Sequence, residues 1–281
     1  MYERLYLCLG GILVARSLDK EWKRLVVKEE KKYKKIEMNG KTSKFDELKQ
    51  GVEKKIPEKL SKTLHEGFYK AFQLIFSKGI SVIEKTYNED ELALDFTVNN
   101  LRVERKPDSK SLKELERGIK KGQRINTCTT MVEGIGLGVF GVGLPDIPLF
   151  LGILLKGIYE ASIGYGFNYK EEKEQILILK MITASLCGDE RKEEANKDVE
   201  SWMTHMDVPD IITNIEEDMQ KASRALSDAM LLSKFLQGFF IVGMVGGVAN
   251  PFIYQKVLKY VTLKYKKRYI IEKRKSIKNV R

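Results

Sequence analysis

Residues 131–155 read MVEGIGLGVFGVGLPDIPLFLGILL. Five glycines fall between Gly134 and Gly143 in a run that is otherwise almost wholly apolar. Each glycine in a helix costs about 1 kcal/mol relative to Ala. A helix built this way needs an offsetting gain, and close backbone approach is the usual one. Gly134-x-x-x-Gly138 has the small-residue spacing for it. Pro145 and Pro148 interrupt the run, with Asp146 between them. The spacing then predicts a helix from about Pro148 to Tyr165 that stops at Gly166.

A second stretch resembles the first. Phe235–Tyr254, FLQGFFIVGMVGGVANPFIY, is 20 residues without a formal charge. It holds four glycines between Gly238 and Gly247, including the Gly243-x-x-x-Gly247 spacing. Gly138-Val139-Phe140-Gly141 and Gly243-Met244-Val245-Gly246 each run into a proline, Pro145 and Pro251. Two readings stay open here: a glycine-faced hairpin in a soluble core, or a shallow insertion into a membrane. The length meets the spanning rule. However, Asn250-Pro251, Glu133 and Asp146 suit a re-entrant or interfacial segment better than a simple span.

Helical signals continue outward. Residues 19–38 are charged and helix-favouring, and Asn39-Gly40 breaks them. Phe68, Phe72, Ile75, Phe76, Ile80 and Ile83 form one helical stripe. Asn88-x-x-Glu91 reads as a capping box for a short helix, and Ser111-x-x-Glu114 as a second one opening a long helix. Residues 170–187 read as an amphipathic helix with Ile176, Leu179, Ile182 and Leu186 on one face. Further helices are expected over 190–204 and 210–237, and a basic helix follows Pro251. No stretch alternates with period two between hairpin turns, so strands are not expected. The fold class is all-α, a helical bundle with the two glycine-rich apolar helices packed in its centre. Residues 1–18 are read as an apolar extension and residues 19–281 as the helical domain. The apolar run Leu5–Ala15 has the length of a signal-peptide core, but Glu3 and the lack of a small-x-small cleavage site favour an interfacial or core-docking role.

Charge is uneven. The chain carries 50 Lys+Arg against 39 Asp+Glu, a net +11. Residues 251–281 hold 11 of the cations and one acid, Glu272, which leaves 39 against 38 elsewhere. An acidic partner is therefore expected to meet that tail, at Lys264, Lys266, Lys267, Arg268, Lys273 and Arg274. Lys and Arg are interleaved there with Tyr260, Tyr265 and Tyr269, which also permits nonspecific binding of nucleic acid. With 43% hydrophobic and 32% charged residues, a wholly disordered chain, a collagen and an ordinary polytopic membrane protein are excluded.

Chemistry-bearing motifs are few. Cys8, Cys128 and Cys187 are far apart, and His65 and His205 stand alone, so neither a zinc cluster nor a disulfide framework is expected. Gly136-Leu137-Gly138-Val139-Phe140-Gly141 spells a dinucleotide fingerprint but lacks the strand that must precede it. Gly40-Lys41-Thr42 echoes a phosphate loop without the glycine at its head, since position 35 is Lys. No cofactor or metal is expected. Asp146 is the one candidate catalytic carboxylate. A hydrolase reading needs Glu133, Asn250 or Tyr159 within hydrogen-bond reach of it. Its simpler role is to cap the helix beginning near Pro148.

The stretch Gly134–Gly166 resembles the core motif of the EcsC protein family. The marks are the small-residue helix, Leu144-Pro145-Asp146-Ile147-Pro148, the apolar helix into Ile158-Tyr159, and Tyr165-Gly166-Phe167. KFLQGFFIVGMVGGVANPFIYQKV is similar to that family's C-terminal glycine-rich helix, with Asn250 in the matching place, and the charged segment Trp22–Glu29 is similar to its start. The likeness covers roughly residues 20–275. In it Gly134, Gly138, Gly141, Pro145, Asp146, Pro148, Tyr159, Gly243, Gly247 and Asn250 are structural signature positions. The family takes its name from a bacterial operon that also encodes the ATPase and membrane subunits of an ABC transporter. The resemblance therefore implies a bacterial, cytoplasm-facing accessory protein near a membrane, beside such a transporter or a secretion-related complex. It brings no catalytic residues. The expected partner is an anionic lipid surface or a membrane complex.

Overall fold

The computed structural model of the protein describes residues 17–30, 56–106, 108–125, 146–208, 211, 213–236 and 251–279. Gly134, Gly138, Gly141, Pro145, Gly243, Gly247 and Asn250 lie outside them, as do residues 1–16. The described residues form helices without strands. We number these α1 (17–30), α2 (Glu58–Leu74, continuing through a π-turn at Ile75–Gly79 to Glu84), α3 (Glu89–Arg105), α4 (Ser109–Ile125) and α5 (Asp146–Gly164). Next come α6 (Glu172–Leu186), α7 (Asp189–His205), α8 (Ile215–Leu236) and α9 (Pro251–Asn279).

Local chemistry sets the boundaries. Asn88 caps α3 by accepting from the Glu91 amide at 3.1 Å, as its spacing predicts, although α3 is a full 17 residues. The cap of α4 differs from expectation. Asp108 accepts from the amides of Lys110 and Ser111 at 3.0 and 2.8 Å, so Ser111 lies inside the first turn. Aspartate carries a full charge toward the positive helix end, which favours it over serine. Helix α5 is closed off by Gly166, two residues past its end, whose φ of +83° is left-handed. The Phe167 amide donates to the Ser162 carbonyl and the Gly166 amide to that of Ile163, a closure that favours glycine. At its other end α5 starts at Asp146, so Pro148 falls in the first turn, where a missing N–H removes no helical bond.

The core is built around α5, α6 and α9. Ile176, Leu177, Ile178, Leu179, Met181 and Ile182 are all buried. Thus α6 is a central helix covered on every side, not the amphipathic surface helix its spacing suggests; α7, α8 and α9 enclose it. Inserting a π-turn rotates α2 by one residue, so Ile75 and Ile83 are buried with Phe68 and Phe72, while Phe76 and Ile80 are only half-buried. Close approach through glycine occurs in α5. A Cβ at Gly157 would stand 2.7 Å from the Tyr254 hydroxyl and 3.0 Å from Leu258. One at Gly164 would collide with Ile119.

Helix directions follow from these contacts. Gly157 meets Tyr254 and Leu258, and further along Tyr165 meets Tyr269, so α5 and α9 are parallel. Asn100 and Glu104 pair with Tyr269 and Lys273, making α3 parallel to α9. Helix α4 runs back along α3, with Glu114 beside Arg102 and Gly118 beside Asn99. Lys180 bridges Asp198 and Asp218, and Thr213 bonds Glu172, so α8 runs with α6 and against α7. Tyr260 with Asn196 and Lys264 with Glu200 set α7 parallel to α9. Consequently α4 and α8 run toward one end of the bundle, and α5 and α9 start there. Residues 126–145 lie in the chain between α4 and α5 and residues 237–250 between α8 and α9, so the described helix ends that flank the two glycine-rich stretches face the same way.

Candidate functional site

The cations of α9 are the most conspicuous candidate in the sequence, and the fold assigns six of them to internal carboxylates. Lys264 pairs with Glu29 of α1 and Glu200 of α7, and Lys267 pairs with the same two acids at 2.8 and 2.7 Å. Lys266 pairs with Glu21 at 3.1 Å and with Glu116. Arg268 reaches Glu174 at 2.6 Å and Glu272 at 3.3 Å. Lys273 meets Glu104 at 2.6 Å, and Arg274 meets Asp19 at 2.7 Å. Six cations thus face eight carboxylates drawn from α1, α3, α4, α6, α7 and α9 itself, so locally the acids are in excess. The Lys264 side chain is 0% exposed. This corrects the expectation that these six residues present a positive face to an outside anion. The tyrosines are corrected too. Tyr260, Tyr265 and Tyr269 are buried, with Tyr265 stacked on Phe167 at 5.5 Å, and are not available to stack on bases.

Buried ion pairs of this kind shift titration in both directions. Burial raises the Glu29 carboxyl, but Lys264 and Lys267 more than offset it, and the group is held below its usual value. At Glu174 burial wins over the Arg268 guanidinium, and the carboxyl is pushed up. Lys156 and Glu160 form a further buried pair, 3.9 Å apart within α5, one turn from each other. The Lys156 ammonium donates to the Thr86 carbonyl at 2.8 Å, and burial lowers its pKa against the opposing effect of Glu160. A lysine lowered by burial is a familiar nucleophile, but neither of two hollows on the described surface borders it. These are about 170 and 240 Å³, smaller than ordinary small-molecule sites. They lie beside Lys180, Trp202 and Asp218, and beside His65 and Arg224.

Asp146 is the first residue of α5, and Pro148, in the same first turn, is buried. Tyr159 is fully buried, stacked on Tyr169 at 4.1 Å, and its hydroxyl has no hydrogen-bond partner among the described residues. Thirteen residues of helix separate Asp146 from Tyr159, about 20 Å at 1.5 Å per residue, so these two cannot form a catalytic pair. Glu133 and Asn250 lie outside the described residues. No group of three or more metal-ligating side chains occurs among the described residues. Helix α5 is long and apolar enough to cross a bilayer, with mean hydropathy 1.4 over Ile147–Gly164, but 89% of that window is buried in the protein. Sequence reasoning missed the carboxylates that partner α9. Only long-range packing pairs Glu29, Glu174 and Glu200 with it. The Lys156–Glu160 pair was visible as an i,i+4 spacing inside an apolar helix.

The sequence model of the EcsC protein family matches residues 19–270. The chain is 26% identical over 201 residues to Protein EcsC of Bacillus subtilis (strain 168), covering 71% of this chain and 74% of that one. It is 29% identical over 171 residues to the protein YdbA of the same organism, covering 58% of this chain and 59% of that one. No solved structure matches. With nine-tenths of its length matched, the chain belongs to the EcsC protein family.

Proposed function

We propose that this protein is a non-catalytic accessory protein that sits on the inner face of the cell membrane, beside a membrane complex such as an ABC transporter or a secretion-related assembly. Attachment runs through the end of the bundle to which residues 126–145 and 237–250 are tethered, and not through the cations of α9. One observation carries this reading: two nearly uncharged glycine-rich stretches, separated by about a hundred residues in the chain, lie between helices whose flanking ends face the same way. Phe252, in the first turn of α9 at that end, is 67% exposed. Shallow insertion of such segments buries apolar area in the acyl boundary and needs no net positive charge. Six of the α9 cations, from Lys264 to Arg274, are already engaged by carboxylates, which argues against a purely electrostatic anchor through them.

Flotation of the full chain with vesicles tests this. Binding to both zwitterionic and anionic vesicles is expected, with little loss at high salt, and Phe252→Asp together with Phe239→Asp should weaken it. A protein that stays unbound to either vesicle at low salt, or that binds only anionic vesicles and releases in salt, overturns the proposal.

A further inference from the structure

Helix α3 is apolar on two opposite sides. Leu92, Phe96 and Val103 face inward, where Phe96 meets Tyr269 edge-on at 6.3 Å. On the opposite side Leu94, Val98 and Leu101 are 63, 41 and 50% exposed. A helix with apolar residues all round is ordinarily packed all round. The outward residues are not scattered. Glu91, Leu94, Val98, Leu101 and Arg105 are all exposed and follow one another at intervals of three, four, three and four. That is the seam spacing of paired helices.

The two ends of this seam carry opposite charge. Asp90 and Glu91 stand at its start and Arg105 at its finish. A second copy of α3 laid antiparallel about a two-fold axis through Val98 brings Glu91 opposite Arg105 at both ends. Leu94 then meets Leu101, and Val98 meets its own counterpart. A parallel arrangement would set like charges against each other. We infer that the outer face of α3 is a self-complementary interface through which two copies of this chain associate antiparallel. An isologous contact of this kind closes on itself as a dimer and does not propagate. One seam of about four helical turns is small compared with stable interfaces, so the dimer is weak and depends on concentration.

Sedimentation velocity of the full chain, over a micromolar to sub-millimolar series, tests the inference. A monomer–dimer equilibrium is expected. Val98→Glu places two carboxylates together on the axis and should raise the dissociation constant by at least about tenfold, with an unchanged melting temperature because the position is exposed. Arg105→Glu should weaken the dimer by several-fold, and adding Glu91→Arg should restore it. The inference is overturned by a chain that remains monomeric throughout the series, by a dimer indifferent to Val98→Glu, or by a charge swap that fails to recover what the single reversal lost. A monomer whose melting temperature falls on Val98→Glu also overturns it, since the stripe would then be covered by the chain itself.

Discussion

Replacing Arg268 by Met leaves a buried carboxylate without its counter-charge. Glu174 is almost completely buried, and the Arg268 guanidinium holds it at 2.6 Å while lying over the Phe167 ring at 4.0 Å. Methionine keeps the hydrocarbon stem and removes only the charged head. Breaking a buried pair from one side costs about 3–5 kcal/mol, which for a chain near this size corresponds to a melting temperature lower by roughly 6–20 °C. The loss should depend on pH in a defined sense. Burial already raises the Glu174 carboxyl above 4.5 in the folded state, and without Arg268 it rises further. A raised folded value means the group stabilises the fold at pH below the unfolded value and loses that contribution as pH increases through the folded one. Arg268→Met should therefore be most destabilising at neutral and alkaline pH and least so near pH 4.5. Adding Glu174→Gln should recover much of the stability. Denaturant melts of the parent, both single variants and the double variant at two pH values give the coupling directly. A loss below about 1 kcal/mol, the ordinary value for an exposed pair, would refute the reasoning, as would a loss independent of pH.

The remaining predictions use other parts of the fold. Gly166→Ala forces a side chain into φ +83° and its Cβ into the Phe96 ring, so a loss of about 2 kcal/mol or more is expected in urea melts; Phe96→Leu added to it should recover part. Gly164→Ala overpacks against Ile119 and should cost about 1–3 kcal/mol, with partial rescue by Ile119→Val. Glu29 and Glu21 are held below their ordinary value of 4.5; burial acts against this, but the lysines of α9 prevail. Their contribution to docking α1 is thus complete above 4.5 and disappears as pH falls through the lowered folded values. Trp22, which lies beside Lys267 and Arg274, reports this in a Trp202→Phe background; acidification should red-shift its emission before global unfolding.

The positions of most helices were legible because their signals are local. Periodicity placed α2 and α8, the Asn88 spacing placed the start of α3, and a glycine closing an apolar run placed the end of α5. What the sequence obscured depends on partners far along the chain. The face of α6 at Ile176, Leu179 and Ile182 looked like the whole apolar surface, yet Leu177, Ile178 and Met181 are equally covered because α7, α8 and α9 surround it. Ser111 and Asp108 both satisfy a capping rule three residues apart, and spacing alone does not rank them. The charge of residues 251–281 was counted correctly, but a count along the chain does not say which acids fold against it. Glu29 lies 235 residues from Lys264.

That last difference changes what the net charge of this protein means. A +10 segment on a chain that is otherwise nearly neutral suggests an electrostatic anchor. Folding divides that charge. The cations from Lys264 to Arg274 lie where α1, α3, α4, α6 and α7 bring carboxylates to α9, so their field is largely cancelled within a few ångströms. Cancelled pairs add little to long-range attraction, which a Debye length of about 8 Å at physiological salt already limits. They do fix the axial position of α9, because Arg268 and Lys273 each require a particular acid on a particular turn. A helix held in that way carries its first turn, with Phe252, to a set place where Tyr254 meets Gly157 in the second half of α5. In the membrane-face role proposed above, the basic tail acts as a ruler, and the exposed Phe252 that it positions belongs to the surface on which adhesion depends.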